Sequence, residues 1–393
     1  MGKTKKSGAD IYPKPLGAKD KKRLDALYGG LADARSTHAG YPCNMAFDYS
    51  ELHRFLEFPI NNVGDPFGGT NFRVNTHEIE REMVRFFAKM TKAPENNWWG
   101  YITGGGTEGN MYGLYIAREL MGRETLVYFS EETHYSVSKI MRLLDMRHIM
   151  IRAGENGEID YEDLRETVRI HRDRPAIIMA NIGTTMTGAV DDIGKIRLIL
   201  SEFAITNSYI HCDAALHGMI LPFVEDPPPF GFPAGADSVA VSGHKMIGSP
   251  FPCGIVLAKR DKVNTIARNI EYVGALDTTI TGSRNAFAPL ALWYAVRRYG
   301  DGGLKKLVRG SIESADFLIK EFKQNGVAAW RNENSPIVVF PRPSEKTVFK
   351  WQLASKDDIS HIVTLPHLSR EKLAEAAREI SGDLKQPEKG GSK

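Results

Sequence analysis

The 393 residues carry 51 Lys and Arg against 48 Asp and Glu, a net charge of +3, with 42% hydrophobic and 25% charged residues. That balance supplies a sizeable core and excludes a disordered chain, a collagen, a disulfide-framework peptide and a global field that would draw in nucleic acid or lipid. No apolar run approaches the ~18–20 residues of a membrane span, so the expectation is one large soluble domain with a smaller companion.

The basic excess is local. Residues 1–23 hold eight Lys or Arg against Asp10 and Asp20, and read as a solvated, disordered tail. The stretch lacks the apolar segment of a secretory signal. Cys43, Cys212 and Cys253 are an odd number, far apart and without CxxC spacing. They fit reduced thiols in a cytoplasmic protein.

Residues 24–60 form an N-terminal segment, and 61–300 read as the large domain. Thr76–Met90 places Ile79, Met83, Phe86, Phe87 and Met90 on one helical stripe. Trp98–Thr103 is a short strand entering Gly104-Gly105-Gly106, and Glu108–Leu120 returns to helical spacing. Strand-like runs follow at Thr125–Phe129, His148–Ile151, Ala176–Asn181, Tyr209–Cys212, Ser238–Val241 and Gly254–Ala258. Helical patterns at Tyr135–Leu144, Tyr161–His171 and Ile193–Phe203 separate several of them. This alternation predicts an α/β domain with a mostly parallel sheet. Leu304–Asn325 predicts one long helix, and Pro336–Phe340 and His361–Leu365 predict strands of a smaller C-terminal α+β domain over 301–383. Residues 384–393 read as a second disordered tail.

Four polar features fall at the C-terminal ends of these strands, where α/β sheets place ligands. Gly104-Gly105-Gly106-Thr107-Glu108-Gly109 satisfies GxGxxG, and Glu131 and Glu132 follow the next strand. The physics is broader than a dinucleotide site: small residues let the N–H groups of a helix N-terminus approach any phosphate. Ser242-Gly243-His244-Lys245 puts a lysine in a polar pocket, where a lowered amine pKa makes an imine-forming nucleophile. Asp213 ends the strand before two alanines that leave room for a flat ring. A zinc reading of His211, Cys212, Asp213 and His217 is disfavoured, because strand alternation puts Cys212 on the face opposite His211 and Asp213; no metal is expected. His134, in Ser130–Ser136, is the fourth feature. Together they describe a pyridoxal phosphate site: lysine on the aldehyde, aspartate on the pyridine nitrogen, imidazole on the ring face and a helix N-terminus on the phosphate. A nicotinamide site explains the glycine loop and leaves Lys245 and Asp213 without work.

Longer stretches carry a resemblance. INNVGDPF, WGYITGGGTEGNMYG, ETHYSVSKI, ANIGTTMTGAVDDI, HCDAALHGMILPFV, SGHKMIGSPFPCGIV and NSPIVVFPRPSE resemble the short group II pyridoxal-phosphate-dependent amino-acid decarboxylases. The likeness is strongest to bacterial histidine decarboxylases, with plant serine decarboxylases next. The resemblance implies the fold-type I transferase architecture and a homodimer with active sites at the subunit interface. It implies α-decarboxylation of a free amino acid, with L-histidine first and serine or another amino acid as alternatives. An aminotransferase or lyase on the same fold is the more distant alternative. It also implies that Lys245 tethers the cofactor, Asp213 pairs with the pyridine nitrogen and His134 stacks on the ring. Gly106, Thr107, Ser242 and His244 are implied phosphate contacts, with Thr185 near the ring hydroxyl and Ala215 over the other ring face. Ser283 and Arg284 are implied to cross from the partner subunit, and Ser335 to lie near substrate.

The chain departs from the relatives at Ala286-Phe287, where they usually read Gly-His. Phe287 in the pocket would argue against histidine, whereas Phe287 packed only at the dimer contact carries no consequence. Arg73 and His77 also sit in unusual wording, and read either as side-chain selectors or as a surface loop.

Overall fold

The computed structural model describes residues 14–266, 268–270 and 275–385. It divides into two compact units, one ending at His38 and one starting at Ala39. In the first, helix α1 spans Ala18–Arg35 and buries no side chain. The expected disordered tail therefore gives way to helix by Ala18, because the run of Lys, Arg, Leu, Asp and Ala holds good helix formers until Gly29-Gly30. Residues 1–13 and 386–393 of the two expected tails lie outside the described residues.

From Ala39 onward the elements follow in order. They are β1 (Asn61–Val63), α2 (His77–Met90), β2 (Trp99–Thr103), α3 (Gly106–Met121), β3 (Leu126–Ser130), α4 (Ser136–Leu143) and β4 (Arg147–Ile151). Next come α5 (Tyr161–Ile170), β5 (Ala176–Asn181), α6 (Ile193–Glu202), β6 (Ser208–Asp213), β7 (Ser238–Ser242), β8 (Gly254–Ala258) and α7 (Arg260–Val263). The chain continues through β9 (Arg268–Ile270), β10 (Ala275–Asp277), β11 (Ser283–Asn285) and α8 (Phe287–Gln324). It closes with β12 (Ile337–Pro341), α9 (Glu345–Trp351), β13 (Ala354–Lys356), β14 (Ile359–Val363) and α10 (Arg370–Leu384). The helix expected at Leu304–Asn325 begins earlier, at Phe287, and is broken at Gly300, which has non-helical dihedral angles.

Seven strands form one sheet in the order β2-β8-β7-β6-β5-β3-β4. All its neighbouring pairs are parallel except those made by β8, which runs antiparallel to both β2 and β7. Strand alternation explains the layers. Ile178, Ala180, Ile210, Cys212, Val239 and Val241 enter one core with residues of α2, α5, α6 and α8. Ile177, Met179, Tyr209, Val127 and Phe129 enter the other with residues of α3 and α4. The continuous apolar runs in the sequence are therefore strands buried on both faces.

The C-terminal region repeats the device on a smaller scale. Strands β12, β14 and β13 form an antiparallel sheet. Val338, Phe340 and Ile362 face a core with Leu318, Phe322 and Trp351, while Ile337, Val339 and Val363 face the large core. The small sheet is thus packed against the edge of the cavity that holds the site.

Candidate active site

A single direction of chain in six strands brings the ends of β2, β3, β5, β6 and β7 to one edge of the sheet. There they border a cavity of about 620 Å³. Gly106 and Thr107 come from the start of α3, His134 from the loop after β3, and Thr185 from the loop after β5. Asp213 ends β6 and Ala215 follows it, while Ser242 ends β7 and His244 and Lys245 follow it; all nine line the cavity. Gly40, Tyr41 and Pro42 close one side, and Ile337, Ala354, Ser355, Lys356, His361 and Val363 close another. The Lys356 ammonium bonds Glu132 across this rim. The imidazole of His361 bridges Gly40 O at 2.9 Å and Met186 O at 3.0 Å, tying the small sheet to two walls.

The end of α3 that meets the cavity depends on a bare backbone. A Cβ at Gly106 would lie 2.7 Å from Ser242 Oγ. The missing side chain lets the helix start against β7, with its first-turn N–H groups lacking intrahelical acceptors. Those groups and the positive end of the helix dipole favour an anion. Ser242, Thr107 and His244 border the same corner. His244 is oriented by its Nδ1, which lies 2.8 Å from Cys253 O.

Asp213 is 8% exposed. Its Oδ1 accepts from Ala215 N–H at 3.1 Å and its Oδ2 from Asn110 Nδ2 at 2.7 Å. Burial lowers the Lys245 pKa, opposed by the charges of Asp213 and Cys43. The effect favours the neutral amine, which is the nucleophilic form. Burial likewise lowers the His134 pKa, with Asp213 opposing and Lys245 and Lys139 assisting. His134 Nδ1 accepts from Ser136 N–H at 3.3 Å and lies 2.8 Å from Ser136 Oγ. An Nδ1 that accepts a backbone N–H leaves the proton of the neutral ring on Nε2.

Two deeper imidazoles are held neutral. Burial pulls His211 down to about 4, and burial with the nearby Lys245 charge pulls His217 down to about 3. Below the ordinary histidine value of about 6.5 the unfolded chain takes up protons that the folded chain refuses, so stability falls as pH drops. The expected result is an unfolding free energy, read from urea titrations, that declines from pH 6.5 toward pH 4 by about 1.4 kcal/mol per pH unit for each such histidine.

Four expected site residues lie outside the cavity. Arg284 is buried, pairs with Glu80, and donates to Ile102 O at 3.3 Å and Gly64 O at 2.9 Å. Its guanidinium bonds within its own chain, holding β1 and β11 to β2. Ser283 is exposed at the end of the β1–β11 pair. Phe287 packs edge-on to Phe251, with ring centres 6.5 Å apart, beside Leu52, Leu290 and Tyr294. Ser335 is fully buried behind Ile337, whose N–H it accepts at 3.2 Å. Arg73 is exposed, and His77 is buried at the start of α2; neither borders the cavity.

Asn110 and Asn181 border the cavity but are not singled out as site residues by the sequence, whereas Glu132, which also borders it, lies in the Ser130–Ser136 feature. The one sequence signal for Asn110 is its place one turn into the helix that follows the glycine loop.

Residues 74–341 match the model of the pyridoxal-dependent decarboxylase conserved domain. The chain belongs to the pyridoxal-dependent decarboxylases. It is 44% identical over 366 residues to the histidine decarboxylase of Mesorhizobium japonicum, covering 93% of this chain and 99% of that protein. It is 46% identical over 350 residues to the histidine decarboxylase of Vibrio anguillarum, covering 88% and 90%. Among solved structures, the L-methionine decarboxylase of Streptomyces sp. 590 superposes with a TM-score of 0.85 at 26% identity, covering 94% and 97%.

This is a pyridoxal-phosphate-dependent amino-acid decarboxylase on the expected α/β fold. The cavity fits the cofactor: the glycine cradle at α3 suits its phosphate, and a lysine amine whose pKa is lowered by burial suits its aldehyde. The carboxylate of Asp213, held by two neutral donors, suits its pyridine nitrogen. No helix among the described residues is long and apolar enough to cross a membrane.

Proposed function

We propose that the decarboxylase converts L-histidine to histamine and carbon dioxide. The observation that carries this reading is 44–46% identity to histidine decarboxylases over nearly the full length of both partners. The seat of Phe287 is compatible with this reading, because its ring packs beside Leu290 and Tyr294 and does not narrow the cavity of its own chain.

In this reading Lys245 tethers the cofactor and Asp213 holds a proton on its pyridine nitrogen. His134 lies against one ring face, Ala215 against the other, and Thr185 beside the ring hydroxyl. Gly106, Thr107, Ser242 and His244 hold the phosphate. Pyridoxal phosphate supplies the electron sink for the pair left on Cα when the carboxylate departs. The protein's part would be orientation: the cavity walls would hold the substrate so that its Cα–carboxylate bond is the one set to break.

We further propose a cytoplasmic homodimer. Helix α1, taken by itself, buries nothing, yet Leu24, Leu27, Tyr28 and Leu31 recur at three- and four-residue spacing. Such a stripe is satisfied by burial against another surface. The three cysteines are unpaired, which suits a reducing compartment.

A panel of L-amino acids assayed for amine and carbon dioxide tests the substrate. Histidine is expected to exceed serine and methionine by at least about a hundredfold in kcat/KM. A better substrate elsewhere in the panel, or release of a keto acid, overturns the reading.

A further inference from the structure

Behind Asp213 a line of buried polar groups runs from Asn110 away from the cavity. Asn110, on α3, donates from Nδ2 to Asp213 Oδ2 at 2.7 Å. Its Oδ1 lies 3.0 Å from His211 Nε2, and His211 Nδ1 lies 2.7 Å from Ser238 Oγ. Asn110, His211 and Ser238 are all buried. His211 and Asp213 reach the same asparagine because they are two residues apart on β6 and share a face.

The directions of these bonds follow from chemistry. A carboxylate only accepts, so the amide nitrogen of Asn110 faces Asp213 and its oxygen faces His211. His211 Nε2 must then carry the ring proton, which leaves Nδ1 to accept from the Ser238 hydroxyl. Every link points one way, from Ser238 through His211 and Asn110 to Asp213. A second proton on His211 would reverse the Ser238 link, with the hydroxyl then accepting, and place a charge in the core; burial opposes that charge. Close packing holds the ring as well, since a Cβ at Gly113 would lie 2.1 Å from His211 Nδ1.

We infer that Asn110, His211 and Ser238 are positioning residues for Asp213, a one-directional hydrogen-bond chain that sets the carboxylate plane and leaves its negative charge to the cofactor's pyridine nitrogen. A cation in place of the asparagine would compete for that charge. A neutral amide holds the carboxylate without neutralising it. The inference rests on the proposed pairing of Asp213 with the pyridine nitrogen.

The test uses full-length holoenzyme loaded with cofactor carrying nitrogen-15 in the pyridine ring, whose chemical shift reports protonation of that atom. Wild type is expected to show the protonated signal. Asn110→Leu is expected to move it toward the unprotonated position and to weaken cofactor binding by about tenfold or more. It should also lower kcat while leaving KM for the amino acid within about twofold. His211→Phe should act in the same direction and His211→Gln, which keeps a donor toward Asn110, should restore the signal. Should Asn110→Leu not fold, Ser238→Ala removes the far end of the chain with little change in volume, and a partial shift is expected. A protonated signal in wild type that stays unchanged, with unchanged cofactor affinity, in the folded variants overturns the chain alone. An unprotonated signal in wild type, or no response to Asp213→Asn, overturns the assignment of Asp213 itself.

Discussion

Replacement of Lys245 by alanine is expected to lower kcat by about four orders of magnitude, equivalent to roughly 5.4 kcal/mol of barrier. Lys245 follows β7 into the cavity, where burial favours its neutral amine. Among the described residues no second lysine shares that position, because the other lysine lining the cavity, Lys356, is held at the rim by Glu132. The variant removes a buried amine from an existing space, so the sheet and both cores should persist, with circular dichroism and melting temperature close to wild type. Borohydride reduction of cofactor-loaded wild type, followed by peptide mapping, should place the cofactor on the peptide that contains Lys245. The same treatment of Lys245→Ala should leave the cofactor removable by dialysis. Turnover near wild type in that variant would end the proposed role.

Asp213→Asn is expected to retain the fold and lose about three orders of magnitude in kcat, roughly 4 kcal/mol. An amide cannot hold a proton on a pyridine nitrogen as a carboxylate does. The change also breaks the local bonding. Asp213 accepts from Asn110 Nδ2 and from Ala215 N–H, whereas an asparagine there presents one acceptor and one donor group. Its NH₂ must face one of the two existing donors. If Asn110 turned its amide to compensate, its own NH₂ would face the Nε2 proton of His211. Melting temperature should therefore fall modestly while activity collapses, and a variant that stays active without cofactor-nitrogen protonation would contradict the reading.

Much of this was legible in the chain because the signals are local. Ala176–Asn181 and Gly254–Ala258 are strands over the same residues that the sequence marks, since a strand covered on both faces must be apolar at every position. Lys245, Asp213 and His134 follow strand ends, and a sheet of mostly parallel strands carries such ends to one edge. The motifs therefore pointed to a shared site before any contact was known. Elements with weaker apolar runs did not announce themselves. Helix α1 has no core to pattern it, and β1 and β11 are three-residue strands recognisable only from each other.

Arg284 illustrates the other kind of difference. Its neighbours in sequence say nothing of Glu80, which lies 204 positions away and whose buried carboxylate claims the guanidinium. Phe287 is similar: aromatic bulk is visible in the sequence, but the choice between cavity and cluster belongs to the packing of α8. The same holds behind Asp213. Strand periodicity already places His211 on the face of Asp213, yet the asparagine joining them comes from a helix about a hundred residues earlier.

By itself, then, the amino-acid order determined the α/β layering, the cofactor and the three side chains proposed to act on it, because periodicity and short motifs act over a few residues. The tertiary structure alone decided which polar groups meet across the sheet and which charges are spent in the core. It also decided which aromatic rings stay out of the cavity. Those outcomes depend on distances between segments that are remote in sequence, and burial makes each pairing costly to leave unmet.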